Sequence, residues 1–177
     1  MKLKLLFLAF LVLSTSAIVE KSPVTIYMIG DSTMANRNLK NPKNKERGWG
    51  MMLGSFFPSD KVVVSNHAAS GRSTKSFINE KRWARVVALI KPGDYVFIQF
   101  GHNDEKKENP KLYTEPGGTF DDNLRKFVNE TRAKGGIPVL FNSIVRRKFC
   151  QDAAGQFTDS LLDTHGEYLL SPKRVAE

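Results

Sequence analysis

Four short apolar runs alternate with helix-like and turn-like segments, and this alternation restricts the fold more than any other feature of the chain. Residues 24–29 (VTIYMI), 61–66 (KVVVSN), 95–100 (YVFIQF) and 137–141 (IPVLF) read as strands. Between the second and third, Trp83, Val86, Val87 and Ile90 recur at i, i+3, i+4 and i+7, which predicts one helix over 76–90. Lys91-Pro92-Gly93-Asp94 ends it. Phe120, Leu124, Phe127 and Val128 form a second stripe that stops at Gly135-Gly136, with Thr119 and Asp122 resembling a capping box. Strands that are apolar almost throughout, separated by helices, predict a parallel sheet covered on both faces.

In such a sheet the sites lie at the carboxyl ends of the strands. The polar residues fall there. Gly30-Asp31-Ser32-Thr33 follows the first strand and residues 67–73 follow the second. Gly101-His102-Asn103-Asp104 follows the third, and Asn142-Ser143 the fourth. Residues 146–162 read as a surface excursion with hairpin character. Residues 168–177 read as the start of a helix, with Ser171 as N-cap and Pro172 at the first helical position.

The first seventeen residues stand apart. A short basic stretch with Lys2 and Lys4 precedes nine apolar residues and a small-residue run ending at Ala17. That order predicts a secretory signal peptide over 1–17, a single domain over 18–177, and a secreted or periplasmic protein. The apolar run is shorter than a membrane span. The lone Cys150 lies far from it, so neither a lipid anchor, an internal disulfide nor a cysteine zinc cluster is expected. The chain has 27 basic and 18 acidic residues; without Lys2 and Lys4 the formal charge is +7. A basic exported chain can meet nucleic acid, a membrane surface or an acidic polymer. The charges are scattered, with dense groups only at 40–47 and 146–148, and no nucleic-acid motif accompanies them.

Gly-x-Ser-x-Gly, phosphate loops, dinucleotide fingerprints and His-Glu-x-x-His are all absent. What remains is a constellation. Ser32 is the candidate nucleophile, expected at the start of a helix where free N–H groups favour negative charge; the alternative is a turn and helix cap. The N–H of Ser32, the N–H of Gly71 and the Asn103 amide are three donors that can surround an acyl-transfer oxyanion. Taken singly, Gly71 also suits an ordinary turn and Asn103 a loop hydrogen bond.

Gly30-Asp31-Ser32-Thr33, Gly71 and Gly101-His102-Asn103-Asp104 resemble, in order, the first three blocks of the SGNH (GDSL-type) hydrolases. Arg47-Gly48-Trp49-Gly50, residues 71–77 and 99–104, Arg146-Arg147-Lys148-Phe149 and residues 163–168 resemble the rhamnogalacturonan acetylesterase branch. The resemblance covers 24–177. It implies a flavodoxin-like α/β three-layer sandwich around a parallel sheet. It further implies a monomeric, secreted serine esterase without cofactor or metal, removing acetyl groups from an anionic plant cell-wall polysaccharide. Ser32 would be the nucleophile, and Ser32, Gly71 and Asn103 the oxyanion hole. His102, Arg72 and Trp49 are candidate substrate contacts; a solvated arginine and a packed tryptophan are the alternatives for the last two.

One departure is large. Family members carry a late Asp-x-x-His, which supplies the base that a neutral hydroxyl needs. The histidines here are His67, His102 and His165, and the residue three before His165 is Leu162. The base, the last strand and the last helix are therefore expected beyond Glu177. The competing functions are a carbohydrate-binding remnant that lacks its base, and an esterase for another acyl substrate such as a lipid.

Overall fold

The computed structural model describes residues 22–40, 43 and 45–177. The expected leader, residues 1–17, lies outside the described residues. β1 (Val24–Gly30), β2 (Val62–Asn66), β3 (Tyr95–Gln99) and β4 (Ile137–Phe141) form a parallel sheet in the order β2-β1-β3-β4. Val24 pairs with Val62, Ile26 with Tyr95, and Tyr95 with Ile137. All four expected strands are present, and the order puts β1 and β3 in the centre. Their residues are the most buried: Met28, Ile29, Val96 and Ile98 are fully enclosed.

The segment expected as one helix over 76–90 is two. α1 (Thr74–Asn79) and α2 (Arg82–Val87) are separated by Lys81, which adopts a left-handed φ of 56°. The apolar stripe survives the break, since Trp83 and Val86 are buried together with Phe77. Periodicity reports which side chains face the core, and it does not report whether the backbone between them is continuous. Ser73 starts α1 with a capping box closed by Ser76. In α3 (Thr119–Ala133) the expected box is not formed. Gly118 is the N-cap, and Thr119 Oγ1 instead accepts the Glu115 N–H at 2.9 Å.

The excursion is a hairpin of β5 (Phe149–Gln151) and β6 (Phe157–Leu161). A 3-10 turn (Gly166–Leu169) leads into α4 (Ser171–Ala176), whose N-cap is Leu170, so Ser171 and Pro172 lie one position further into the helix than expected.

The two faces of the sheet are covered unequally. Phe77, Trp83, Phe120, Leu124 and Phe127 of α1–α3 pack against Tyr27, Ile29, Val96 and Ile98, with Val175 of α4 at the margin. On the opposite face Ile26 and Met28 meet Met34, Trp49, Leu53 and Phe57, carried by a turn and two 3-10 helices (Trp49–Met51 and Leu53–Phe56). Among the described residues the second outer layer is thus 3-10 rather than α-helical. β4 is an edge strand within this sheet. Ile137 donates its N–H to Asp94 O at 2.8 Å, so by the two-residue period Pro138, which has no N–H, falls on the outward side. No described helix is long and apolar enough to cross a membrane.

Candidate active site

The β1, β2 and β3 ends deliver three loops to one edge. After β1 the chain makes a single tight turn in which the Asp31 carbonyl accepts the N–H groups of Met34 and Ala35. Ser32 therefore stands on a turn and not at the start of a helix. Buried Asp31 braces it: Oδ1 accepts the Thr33 N–H and Thr33 hydroxyl, each at 2.9 Å. Ser32 is half-buried, and its hydroxyl has no hydrogen-bond partner among the described residues.

After β2, Ala69 donates its N–H to Gly30 O at 2.9 Å, which ties the second loop to the first. Gly71 has φ +76°, with nothing within 4 Å of where a Cβ would stand. Its glycine is therefore needed for backbone conformation and not for lack of room. At Gly101 φ is +140° and a Cβ would lie 2.0 Å from Ser143 Oγ, so a side chain there would have to displace the hydroxyl that donates to Phe100 O.

Asn103 is buried in the third loop. Its Nδ2 donates to Arg72 O at 3.0 Å, and its Oδ1 accepts Lys106 Nζ at 2.9 Å. An ammonium only donates and a carbonyl only accepts, so the amide orientation is settled and one Nδ2 hydrogen is left over. Asp104 joins the same loops. Fully buried, its Oδ1 accepts the Thr74 N–H at 2.9 Å, the Thr74 hydroxyl at 2.5 Å and the Thr114 hydroxyl at 2.8 Å.

Ser32, Gly71 and Asn103 are thus brought to one sheet edge on loops that are hydrogen-bonded to each other. Two braces carry no sequence signal. Arg37, in a polar coil, donates to Ser32 O and to Ser70 Oγ, each at 3.0 Å, and pairs with Glu46 at 3.1 Å. Gln99, buried at the end of β3, accepts the Trp49 indole N–H at 2.7 Å, with the Thr33 hydroxyl oxygen 3.2 Å from the same acceptor. It donates to Asn142 O at 2.9 Å. A glutamine at the end of an apolar strand can be noticed, but its partners come from residues 33, 49 and 142.

The candidate substrate contacts all have protein partners. Trp49 is anchored by Gln99 and its ring lies 5.7 Å from that of Phe141. Arg72 reaches both Glu80 oxygens at 3.2 Å; hydrogen bonding from Arg82 and Arg72 holds that carboxyl below its usual range. His102 Nε2 meets Ile144 O at 2.7 Å, and its ring stacks on His165 at 4.8 Å. Buried His165 places Nδ1 3.1 Å from Glu105 Oε2 and Nε2 3.0 Å from Ile144 O. His67 Nε2 meets Ser65 Oγ at 2.9 Å, and burial with the nearby Arg85 charge pushes its pKa down. None of these imidazoles hydrogen-bonds Ser32. Among the described residues no group of three or more His, Cys, Asp or Glu side chains is arranged to hold a metal ion.

The pattern of the GDSL-like Lipase/Acylhydrolase family matches residues 28–169. Rhamnogalacturonan acetylesterase RhgT of Bacillus subtilis (strain 168) is 38% identical over 157 residues, which cover 89% of this chain and 62% of that protein. Rhamnogalacturonan acetylesterase of Emericella nidulans is 41% identical over 80 residues, 45% of this chain and 28% of that protein. The chain thus spans less than two thirds of either relative. Among solved structures, protein YxiM of Bacillus subtilis superposes with a TM-score of 0.71 at 27% identity, covering 88% of this chain and 41% of that one. An acetyl xylan esterase from Geobacillus stearothermophilus shares the fold, with a TM-score of 0.53 at 21% identity over 88% of this chain and 72% of that one.

Proposed function

The chain belongs to the GDSL-like lipase/acylhydrolase family, and from that premise we propose that it is part of a secreted, serine-dependent carbohydrate acetylesterase acting on acetylated rhamnogalacturonan. Ser32 Oγ attacks the acetyl carbonyl. The Ser32 and Gly71 N–H groups and the free Asn103 amide hydrogen receive the oxyanion. Collapse of the intermediate expels the sugar hydroxyl and leaves acetyl on Ser32, which water then removes to give acetate. The observation that carries this reading is the direct linkage of the three loops: Arg37 from Ser32 to Ser70, and Asn103 to Arg72. The substrate class rests on the relatives named rhamnogalacturonan acetylesterase.

The test is acetate release from acetylated rhamnogalacturonan by the protein and by its Ser32→Ala variant. The expected loss is about 10⁴-fold or more, as for other serine hydrolases stripped of their nucleophile. Equal rates in the two proteins would overturn the assignment.

A second reading is favoured by one observation. No described histidine reaches Ser32, so the hydroxyl lacks a visible proton acceptor. That reading is carbohydrate binding without turnover. It predicts retention of acetylated polysaccharide with no acetate released.

A further inference from the structure

The β5–β6 hairpin and the side chains that fix it to the Asn103 loop have no part in the acyl-transfer chemistry. The hairpin has a built turn: Asp152 Oδ1 accepts the N–H groups of Ala154 and Gln156 at 2.9 Å, and Gly155 takes φ +77°. Its strands pair Phe149 with Leu161 and Gln151 with Phe157, with an irregularity between the two pairs. Phe149 and Phe157 are 40% and 74% exposed on one side of the hairpin, and Leu162, just past the end of β6, is 49% exposed beside them. A groove of about 860 Å³ runs along this side, lined by Arg147, Lys148, Phe149, Phe157 and Leu162, and no carboxylate lines it. Neither Arg147 nor Lys148 has a side-chain partner among the described residues. Exposed aromatic rings beside unpaired cations are unusual on a soluble surface and mark a binding face.

Lys148 also lines a second groove, of about 550 Å³, which passes Lys106 and Lys107 to reach Arg146 and His165. Of its carboxylates, Glu105 is held by Arg146 and His165, and Asp163 accepts the N–H groups of His165 and Gly166. Asp163 and Glu108 stay charged and face Lys106, Lys107 and Lys148. Lys106 lines this groove, and its ammonium holds the Asn103 amide. The base of the hairpin is fixed to the same loop. Arg146 pairs with Glu105, and His102 and His165 stack and both meet Ile144 O. Anything lying on the hairpin is therefore held at a set distance from Asn103.

We propose that this hairpin face is a subsite for a polyuronate chain, with Phe149 and Phe157 against the sugar rings and Arg147 and Lys148 against the carboxylates. The polymer continues along the Lys148 groove toward Asn103. This inference rests on the carbohydrate reading above and adds the part of the surface that selects an acidic backbone. Two cations in a groove that no carboxylate lines suit a polyanion. A second copy of the hairpin would set the same cations against each other.

The test is titration calorimetry with unacetylated oligogalacturonate, and with a neutral arabinan oligosaccharide of similar length for comparison. Arg147→Ala/Lys148→Ala is expected to weaken oligogalacturonate binding about tenfold, two exposed charge contacts' worth. Phe157→Ala, at an exposed position, is expected to weaken it several-fold while the circular dichroism spectrum is unchanged. Raising the salt concentration should weaken the wild type and leave the double variant little affected. Absence of binding by the wild type, equal binding by the double variant, or equal affinity for the neutral oligosaccharide would each overturn the subsite. So would a sedimentation dimer that Phe157→Ala dissolves. Binding is read without turnover, so a chain that releases no acetate yet shows the expected charge dependence leaves the hairpin standing. An active chain whose double variant binds normally removes the hairpin alone.

Discussion

Asn103 illustrates what one residue's surroundings decide. Lys106 and the Arg72 carbonyl hold its amide in one orientation, so the spare hydrogen points in a fixed direction. Removing it with Asn103→Ala should lower kcat/KM for acetate release by about 10²–10³, with kcat carrying the loss and KM little changed. A change confined to KM would make Asn103 a binding residue instead. Its neighbour Asp104 has a different consequence. Burial pushes its carboxyl from 3.8 up to about 7, against the hydrogen bonds from Thr74 and Thr114 and with the Asp31 charge adding to the rise. Its Oδ2 is buried without a partner. Between pH 4 and 7 the folded chain therefore keeps a proton that the unfolded chain has lost. That contribution is complete below pH 4 and disappears as the pH rises through 7. Three pH units bound it at about 4 kcal/mol. Urea midpoints of the wild type and Asp104→Asn should converge, or cross in favour of the variant, as the pH is raised from 4 to 8. Parallel curves would show that Asp104 is ionised throughout.

Among the elements, α1 and α2 are the pair in which local strain is stored. Lys81 sits in the left-handed region between them, where a Cβ costs about 1–2 kcal/mol. Lys81→Gly should raise stability by about 1 kcal/mol, read as a higher urea midpoint with an unchanged slope. A loss would mean that the lysine side chain, not its backbone angle, holds the junction. The break also serves packing. It lets Phe77 of α1 meet Phe100 at 5.4 Å while Trp83 of α2 turns its ring to Phe127 at 4.9 Å and its N–H to Glu130 at 2.6 Å.

Over the whole molecule, stability is unevenly divided between the two sheet faces. Phe127 is fully enclosed on the helical face, whereas Phe57 lies at the margin of a smaller cluster on the other. Phe127→Ala should cost about 3–5 kcal/mol, and Phe57→Ala about 1 kcal/mol. Chemical denaturation followed by circular dichroism measures both. Comparable losses would mean that the 3-10 face carries as much of the core as the helices do.

Strand positions, the parallel sheet and the edge that carries the polar loops were legible in the chain itself. Strand-like runs five or six residues long, broken by Gly and Pro, have few other solutions. Gly30-Asp31-Ser32-Thr33, Gly71 and Asn103 could be picked out because strand ends are where such a sheet presents its chemistry. The continuity of 76–90 could not, because a stripe at helical spacing constrains directions and leaves the backbone between them free. Nor could the partners of Arg37, Gln99 and Glu105, which join residues up to 66 positions apart. Only the folded chain decided them, since a hydrogen bond between distant loops depends on where the sheet puts each loop, and no local pattern of residues records that.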